Sequence, residues 1–298
     1  VAPQDPKPRY DPYRGMDYSG RIPKPAFPKD LKHPERWRYT PPARIKPGNL
    51  IDRFWVSSFI TPIIFREEDI GFGGGLALTD IDFRGQNFQE FANINATYSA
   101  EGQQNFRINW SKWLNHRQLA NGGIIREERG RLYIRGGYSK TLTRRFFGFG
   151  SRTTELDETS YTEELSNLGA GIRLPLPDPG SNWLARIGFN AQHHALSSGR
   201  VSSVLSTNDS GAFPEAFEDG DGVGQLWVTG RIGWDSRDSL AQAYKGKRIG
   251  VSASTAYQSA GEWGSVLGID GQHVFAVPPL FHAGRQGDGT KITFNSLL

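Results

Sequence analysis

Two groups of neighbouring polar side chains have the residue types that catalysis or metal binding requires. Asp235, Arg237 and Asp238 stand close together, and His193 and His194 are adjacent. No nucleophile or general base accompanies the first group, so we interpret it as an ion pair that stabilises a turn. Adjacent side chains on a strand point to opposite faces, which excludes binding of one metal ion by both histidines. We therefore expect no enzyme, no catalytic residue and no metal or cofactor.

Two glycine-containing segments resemble ligand loops only superficially. Residues 71–75 lack the helix and the lysine that follow a nucleotide-binding loop, so they predict a tight turn or a close contact between strands. The Asp-Gly-Asp-Gly segment at 219–222 falls short of EF-hand spacing and predicts a mobile loop, with adventitious calcium binding as the alternative. The chain has no cysteine, which excludes a thiol nucleophile and a disulfide framework.

The elements that must position these residues are strands with a strict period of two. From Gly224 to Asp235 apolar residues occupy the even positions and mostly polar residues the odd ones, and after a charged turn the alternation continues from Arg248 to Gln258. Each run is longer than the usual strand of about five or six residues. It matches the roughly 9 to 11 residues with which a tilted strand crosses a bilayer. The pair therefore predicts a membrane-spanning hairpin.

The same alternation recurs through most of the chain after Ile51. With the hairpin and some shorter pieces it makes about twelve predicted strands, at about 56–65, 70–79, 92–99, 106–111, 131–141, 160–174, 182–194 and 263–275. A soluble sandwich alternates in the same way. Strand length and the tryptophan and tyrosine side chains near strand ends favour the membrane class. We therefore predict an all-β fold, in which residues 51–298 form a transmembrane antiparallel β-barrel.

The composition agrees with a barrel and disfavours a helical membrane protein. Only 37% of the 298 residues are hydrophobic, and no uninterrupted apolar run reaches the roughly 18 residues of a spanning helix. Half of each barrel strand faces a polar lumen, so average hydropathy looks soluble. The 36 glycines and the 12% of aromatic residues suit tight turns and interfacial aromatic girdles.

Residues 1–50 form a separate, proline-rich arm. Residues 1–48 hold 11 of the 18 prolines and 11 Lys/Arg against 5 Asp/Glu, so the basic charge of the chain, +4 overall, belongs to this arm. Because proline fixes the backbone and removes donors, we expect an extended segment. One interpretation is a disordered, solvated tail. The other is docking on a partner or on the barrel rim through aromatic side chains, which are Tyr10, Tyr13, Tyr18, Phe27, Trp37 and Tyr39.

The lengths of the connections predict on which side the arm lies. The long segments 143–157 and 196–223 fall on one side, and the shorter segments 175–181 and 236–246 fall on the other. Outer-membrane barrels have long external loops and short periplasmic turns, so we expect a periplasmic arm. The connection at 115–128 is long for that side. No nucleic-acid-binding fold accompanies the basic arm, so nucleic acid is not an expected partner.

Several motifs resemble the bacterial surface antigen barrels, the outer-membrane assembly superfamily that includes BamA and TamA. The opening of those barrels is similar to Thr61 and Pro62 followed by the glycines at 71–75. Their Phe-Phe-Gly-x-Gly segment is similar to residues 145–150, and their Asp-Thr-Arg-Asp turn is similar to residues 233–238. The matching positions are Gly71, Gly73, Gly74, Phe146, Phe147, Gly148, Gly150, Asp235, Arg237 and Asp238. The resemblance implies a barrel of sixteen strands in the outer membrane of a Gram-negative bacterium. It implies the lipid bilayer and other outer-membrane or periplasmic proteins as partners.

Two features depart from that family's pattern. The arm is too short for a POTRA domain, and residues 294–298 are followed by neither the late Arg-Gly-Phe or Arg-Gly-Tyr motif nor an aromatic last strand. An unpaired strand edge in lipid costs several kcal/mol for each backbone group. We therefore expect that the remaining strands come from a continuation of the chain or from a partner.

Three functions are compatible with these expectations. The resemblance implies assembly or translocation of outer-membrane proteins through a weak seam, where client strands pair with an edge. The missing POTRA domains favour instead a structural subunit that anchors a partner through the arm. Inward-facing arginines favour a passive pore.

Overall fold

Antiparallel β-strands make up most of the structure, a computed structural model that describes residues 17, 25–42, 50–85, 87–150, 153–211, 222–240, 243, 245–259, 261–277 and 290–297. Two short helices, α1 (Leu50–Ser57) and α2 (Thr207–Ser210), accompany fourteen strands in this described part. The strands are β1 (Trp37–Thr40), β2 (Ser58–Glu67), β3 (Gly71–Asp80), β4 (Glu90–Ser99), β5 (Gln104–Trp113), β6 (His116–Gln118), β7 (Ile124–Glu127), β8 (Arg131–Phe146), β9 (Thr159–Leu176), β10 (Trp183–Ser198), β11 (Val223–Asp235), β12 (Gly246–Gln258), β13 (Trp263–Val277) and β14 (Thr290–Leu297). Single 3-10 turns lie at Pro34–Arg36, Phe83–Gly85 and Glu155–Asp157.

Eleven of these strands form one sheet in the order β14-β13-β12-β11-β10-β9-β8-β5-β4-β3-β2. Strands that are neighbours in this sheet also follow one another in the sequence, except that β6 and β7 lie between β5 and β8 in the sequence and belong to another sheet. Over the residues that the structure describes, β2 and β14 are the two edges of this sheet. The predicted all-β, antiparallel fold is confirmed.

The hairpin predicted at 224–258 is confirmed as β11 and β12. Ile232 pairs with Val251 and Asp235 pairs with Arg248, so the apolar positions of the two strands share one face and the polar positions share the other. Each strand has 13 residues. The neighbouring strands β9 and β10 are longer still, with 18 and 16 residues.

The first strand of the sheet begins later than the alternation predicted. Residues 56 and 57 belong to α1 (Leu50–Ser57), and β2 starts at Ser58. The reason is visible in the apolar residues 50, 51, 54 and 55, whose spacing fits one face of a helix better than one face of a strand. No helix among the described residues is long and apolar enough to cross a membrane.

The connections between strands separate into two ends of the sheet. The loop end holds the connections 68–70, 100–103, 147–158, 199–222 and 259–262. The arm end holds the connections 81–89, 114–130, 177–182 and 236–245. The long segments predicted for one side and the short ones predicted for the other are therefore sorted as expected.

The long connection at the arm end folds together with the arm. Its strands β6 and β7 form a three-stranded sheet with β1, in the order β1-β7-β6. Trp37 pairs with Glu127 and Thr40 pairs with Ile124. This small sheet accounts for the length of residues 115–128. Residues 37–40 of the arm are thus an edge strand, the only strand position that a proline-rich segment readily takes.

Candidate functional site

The large sheet exposes its apolar side chains instead of burying them. Ile187, Phe189, Ile232 and Val251 have exposed fractions of 45%, 51%, 52% and 50%. Large hydrophobic side chains are exposed in the same way on the other strands of the large sheet from β2 to β13. We call this surface the apolar face. A contiguous apolar surface of this extent marks contact with a membrane or with another protein.

The opposite, polar face of the sheet surrounds a cavity of about 410 Å³. Residues of β5 and of β8 to β12 line it, so the sheet curves around this face. The lining contains seven arginines, which are Arg131, Arg135, Arg173, Arg186, Arg231, Arg237 and Arg248. A second cavity of about 260 Å³ shares Asn109 and Arg135 with the first. The cavity is therefore strongly cationic and continues along the polar face.

Four of these arginines form a row across four adjacent strands. Arg131 of β8 pairs with Arg173 of β9, Arg173 pairs with Arg186 of β10, and Arg186 pairs with Arg231 of β11. We call these four residues the arginine row. Their inward orientation was predicted from the alternation, but their juxtaposition depends on strand register, which one sequence does not specify.

Inward-facing glycines provide the space that the cavity side chains occupy. A Cβ atom at Gly171 would overlap the hydroxyl of Tyr133, and one at Gly250 would lie 2.5 Å from Nη2 of Arg231. The Tyr133 hydroxyl accepts hydrogen bonds from Nε and Nη2 of Arg186, at 3.1 Å and 2.8 Å. These contacts hold the Arg186 guanidinium at the cavity wall.

A buried cluster closes the turn between β11 and β12 at the arm end. Arg237 donates to the Asp235 carboxylate from Nε at 3.0 Å and from Nη2 at 2.7 Å, and from Nη1 to Gln272 at 2.6 Å. The backbone amide of Arg237 also donates to the same carboxylate. The structure thus contains the turn-stabilising ion pair predicted for Asp235 and Arg237. Asp238 lies beside it, and its amide donates to the carbonyl of Lys245 at 3.3 Å.

Two arginines from outside the large sheet are buried at the arm end, and one of them, Arg129, contacts this cluster. Arg129 donates to the backbone carbonyls of Asp235 and Arg237, at 2.8 Å and 2.7 Å. Burial and, to a smaller extent, the nearby Arg36 lower the pKa of Arg129 to about 10. Arg36 donates to Asn182 at 2.7 Å and to the carbonyl of Gly180, and burial lowers the pKa of Arg36 as well. Neither contact was predicted, because both join residues far apart in the sequence.

The described part of the arm docks on the arm end of its own chain. Trp37 is buried, and the Tyr39 hydroxyl accepts a hydrogen bond from Asn121 at 3.0 Å. Phe27 is half-buried. Ion pairs join Lys32 to Asp178, Arg38 to Glu128 and Arg117 to Asp30. Of the six aromatic residues predicted to dock, Tyr10, Tyr13 and Tyr18 lie outside the described residues.

The remaining motif positions lie at strand ends on the loop end. Gly71 begins β3 with a φ of 72°, and a Cβ at Gly73 would overlap the ring of Phe65 on β2. Gly74 follows Gly73 in the same strand and pairs with Ile64 on β2. The segment therefore makes the predicted close contact between strands. Phe146 ends β8 and packs edge to face on Phe149 at 5.2 Å, and the loop after Phe147 turns at Gly148 and Gly150, whose φ values are 93° and 94°.

The candidate metal ligands are not brought together. His194 contacts Glu163 at 2.9 Å, whereas His193 points to the other face of β10. Within the described ranges, no group of three His, Asp or Glu side chains could hold a metal ion. Residues 219–221 of the Asp-Gly-Asp-Gly segment lie outside those ranges.

No model of a protein family matches the chain, and no curated protein matches it.

Proposed function

We propose that this chain forms the wall of an outer-membrane β-barrel of the surface-antigen type, which inserts or translocates other outer-membrane proteins. The observation that carries the proposal is the apolar face, because side chains such as Ile232 and Val251 are exposed where a soluble sandwich would bury them. The arginines and the other polar side chains line the opposite face. A membrane barrel likewise has apolar side chains on its outer face and polar side chains on its inner face.

Three further features agree with this proposal. Spanning strands of 13 to 18 residues, as in β9 to β12, are long enough to cross a bilayer at a tilt and extend beyond it. The residues that resemble the surface-antigen motifs lie at strand ends and turns. The two sheet edges, β2 and β14, offer backbone groups to which a client strand or further strands of the barrel can pair.

A passive pore is the second candidate, and the cationic polar face favours it. The two neighbouring cavities are lined by eight different arginines, because Arg107 adds to the seven of the larger cavity. A lumen lined by arginines attracts anions. Such a pore would conduct chloride in preference to potassium in a planar bilayer.

Depletion of the protein from its native cell separates these functions. We expect loss of many unrelated outer-membrane proteins from the membrane fraction, measured by quantitative mass spectrometry. Altered solute uptake alone would support the pore and contradict assembly. Loss of a single complex would support the anchoring subunit instead.

Deletion of residues 1–24 tests the anchoring alternative without removing β1 (Trp37–Thr40). If the protein is an assembly barrel, the shortened chain restores outer-membrane proteins in depleted cells. If it anchors a partner through the arm, the shortened chain reaches the membrane but releases that partner. Co-purification of the partner with the shortened chain would contradict anchoring.

A further inference from the structure

The arginine row places like charges directly opposite one another on neighbouring strands. Arg173 has Arg131 on one side and Arg186 on the other, and Arg231 follows. Neighbouring strands lie about 4.8 Å apart, and like charges directly opposite are destabilising. The row therefore needs negative charge nearby.

The described part of the chain supplies little of that negative charge. Arg231 pairs with Asp270. Arg131 donates to the hydroxyl of Ser111 at 2.6 Å, and Arg173 donates to the carbonyl of Arg129 at 2.7 Å. Among the described residues, the hydrogen bonds and the cation–π contact of the Arg186 guanidinium are with the neutral Tyr133. Three of the four guanidinium groups in the row thus have no carboxylate partner among the described residues.

Several donors at the cavity also lack an acceptor. Nε of Arg131, Nη2 of Arg231 and Nε of Arg248 are buried without a hydrogen-bond partner among the described residues. A buried donor without a partner destabilises the folded protein, and the penalty is larger when the donor is charged. Within the same part of the chain, the guanidinium of Arg135 on the cavity wall makes neither an ion pair nor a side-chain hydrogen bond.

We propose that the cavity is a binding site for a water-soluble anion that carries phosphate groups, held by Arg131, Arg135, Arg186 and Arg231. Guanidinium groups bind the oxygens of phosphate in bidentate pairs. A phosphate group offers more acceptor oxygens and more charge than a carboxylate, which suits several arginines that converge on one space. The cavity volume of about 410 Å³ is within the range of small-molecule sites, roughly 300–1,000 Å³.

Anion binding at the cavity is a property beyond the proposed function and does not depend on it. The arginine row and the cavity belong to the polar face, and anion binding is expected whether the chain assembles proteins or conducts solutes. Depletion phenotypes test the proposed function, whereas direct titration tests the site. A titration without binding would leave the proposed function unaffected, and a depletion phenotype that contradicts the proposed function would leave the anion site unaffected.

Isothermal titration of the full chain in detergent micelles tests the site, with inorganic pyrophosphate as the probe at constant ionic strength. We expect saturable binding at one site, weaker binding of inorganic phosphate and no saturable binding of acetate. Arg186→Gln and Arg135→Gln should each weaken pyrophosphate binding about tenfold or more. Arg200→Gln removes the same charge from an exposed residue that donates to Glu101 outside the cavity, and it should leave binding unchanged.

Two further measurements test the geometry of the guanidinium contacts and the source of the phosphate. Arg186→Lys keeps the charge but loses bidentate geometry, so it should fold, as judged by circular dichroism, and still weaken binding. Micelles doped with phosphatidic acid test a lipid headgroup as the source of the phosphate, and we expect them not to compete. Absence of saturable pyrophosphate binding, equal affinity in the Arg186→Gln and Arg200→Gln variants, or binding of phosphatidic acid alone would overturn the proposal.

Discussion

Nη1 of Arg129 donates a hydrogen bond of 2.8 Å to the backbone carbonyl of Asp235. This contact joins the connection that precedes β8 to the last residue of β11, although β9 and β10 separate these strands in the sheet. Nη2 of the same guanidinium donates to the carbonyl of Arg237 at 2.7 Å. One side chain thus bridges four strands at the arm end and helps to fix the curvature that encloses the cavity.

Arg129→Met removes this bridge while keeping an unbranched side chain. The variant leaves two buried carbonyl groups without donors, so we expect the free energy of unfolding to fall by about 2–4 kcal/mol. Urea titration of the protein in detergent micelles measures the change. Arg38→Ala is the control, because its pair with Glu128 is half-exposed and should contribute less than about 1 kcal/mol. Equal losses in the two variants would contradict the role of Arg129.

Gly75→Ala tests the close contact between β3 and β4. A Cβ at this position would overlap the backbone carbonyl of Ala96, so the strands must separate. We expect a loss of about 1–3 kcal/mol in the free energy of unfolding. At Gly230, which has open space around an added Cβ, the same substitution should cost little. If Gly230→Ala destabilises the protein as much as Gly75→Ala does, the loss of stability does not come from the close contact between β3 and β4.

The docking of the arm is expected to depend on acid pH. The hydrogen bond from Arg117 lowers the pKa of Asp30 below its ordinary value of 3.8. The Asp30–Arg117 pair therefore stabilises the docked arm fully above pH 3.8, and this contribution is lost as pH falls through the lowered pKa. A nitroxide on Lys29→Cys should become mobile only below pH 3.8. In the Arg117→Ala background the nitroxide should already be more mobile at neutral pH, and an unchanged profile would show that this pair does not hold the arm.

A charge on the apolar face should destabilise the protein in a bilayer. Ile232→Lys places an ammonium group among exposed apolar side chains, and at the membrane midplane this costs about 2–4 kcal/mol. Thr229→Lys on the polar face of the same strand should change stability much less. Urea titration in liposomes measures the free energy of unfolding of the two variants. Equal effects would mean that the two faces do not differ in environment.

The sequence predicts the long strands of this fold better than it predicts their contacts. The alternation at 224–235 and 248–258 placed the hairpin within two residues of its observed bounds. The short strands β6 and β7 were not predicted, because three or four residues are too few to define a period of two. The helix α1 was not predicted either, because its last residues were assigned to the alternation of the strand that follows. The arginine row was not predicted as a unit, because the pairing of Arg131 with Arg173 follows from strand register and a bulge between Thr141 and Arg144.

Site-directed spin labelling of β12 in a reconstituted bilayer shows whether the apolar face lies against lipid. The chain has no cysteine, so single cysteines at positions 249 to 256 carry the only labels. We expect odd positions, such as Val251, to be accessible to oxygen dissolved in the hydrocarbon. Even positions, such as Ser252, should be accessible to a water-soluble nickel complex. Uniform access of the nickel complex to both sets, or a chain that stays dissolved without detergent, would contradict a membrane-facing sheet.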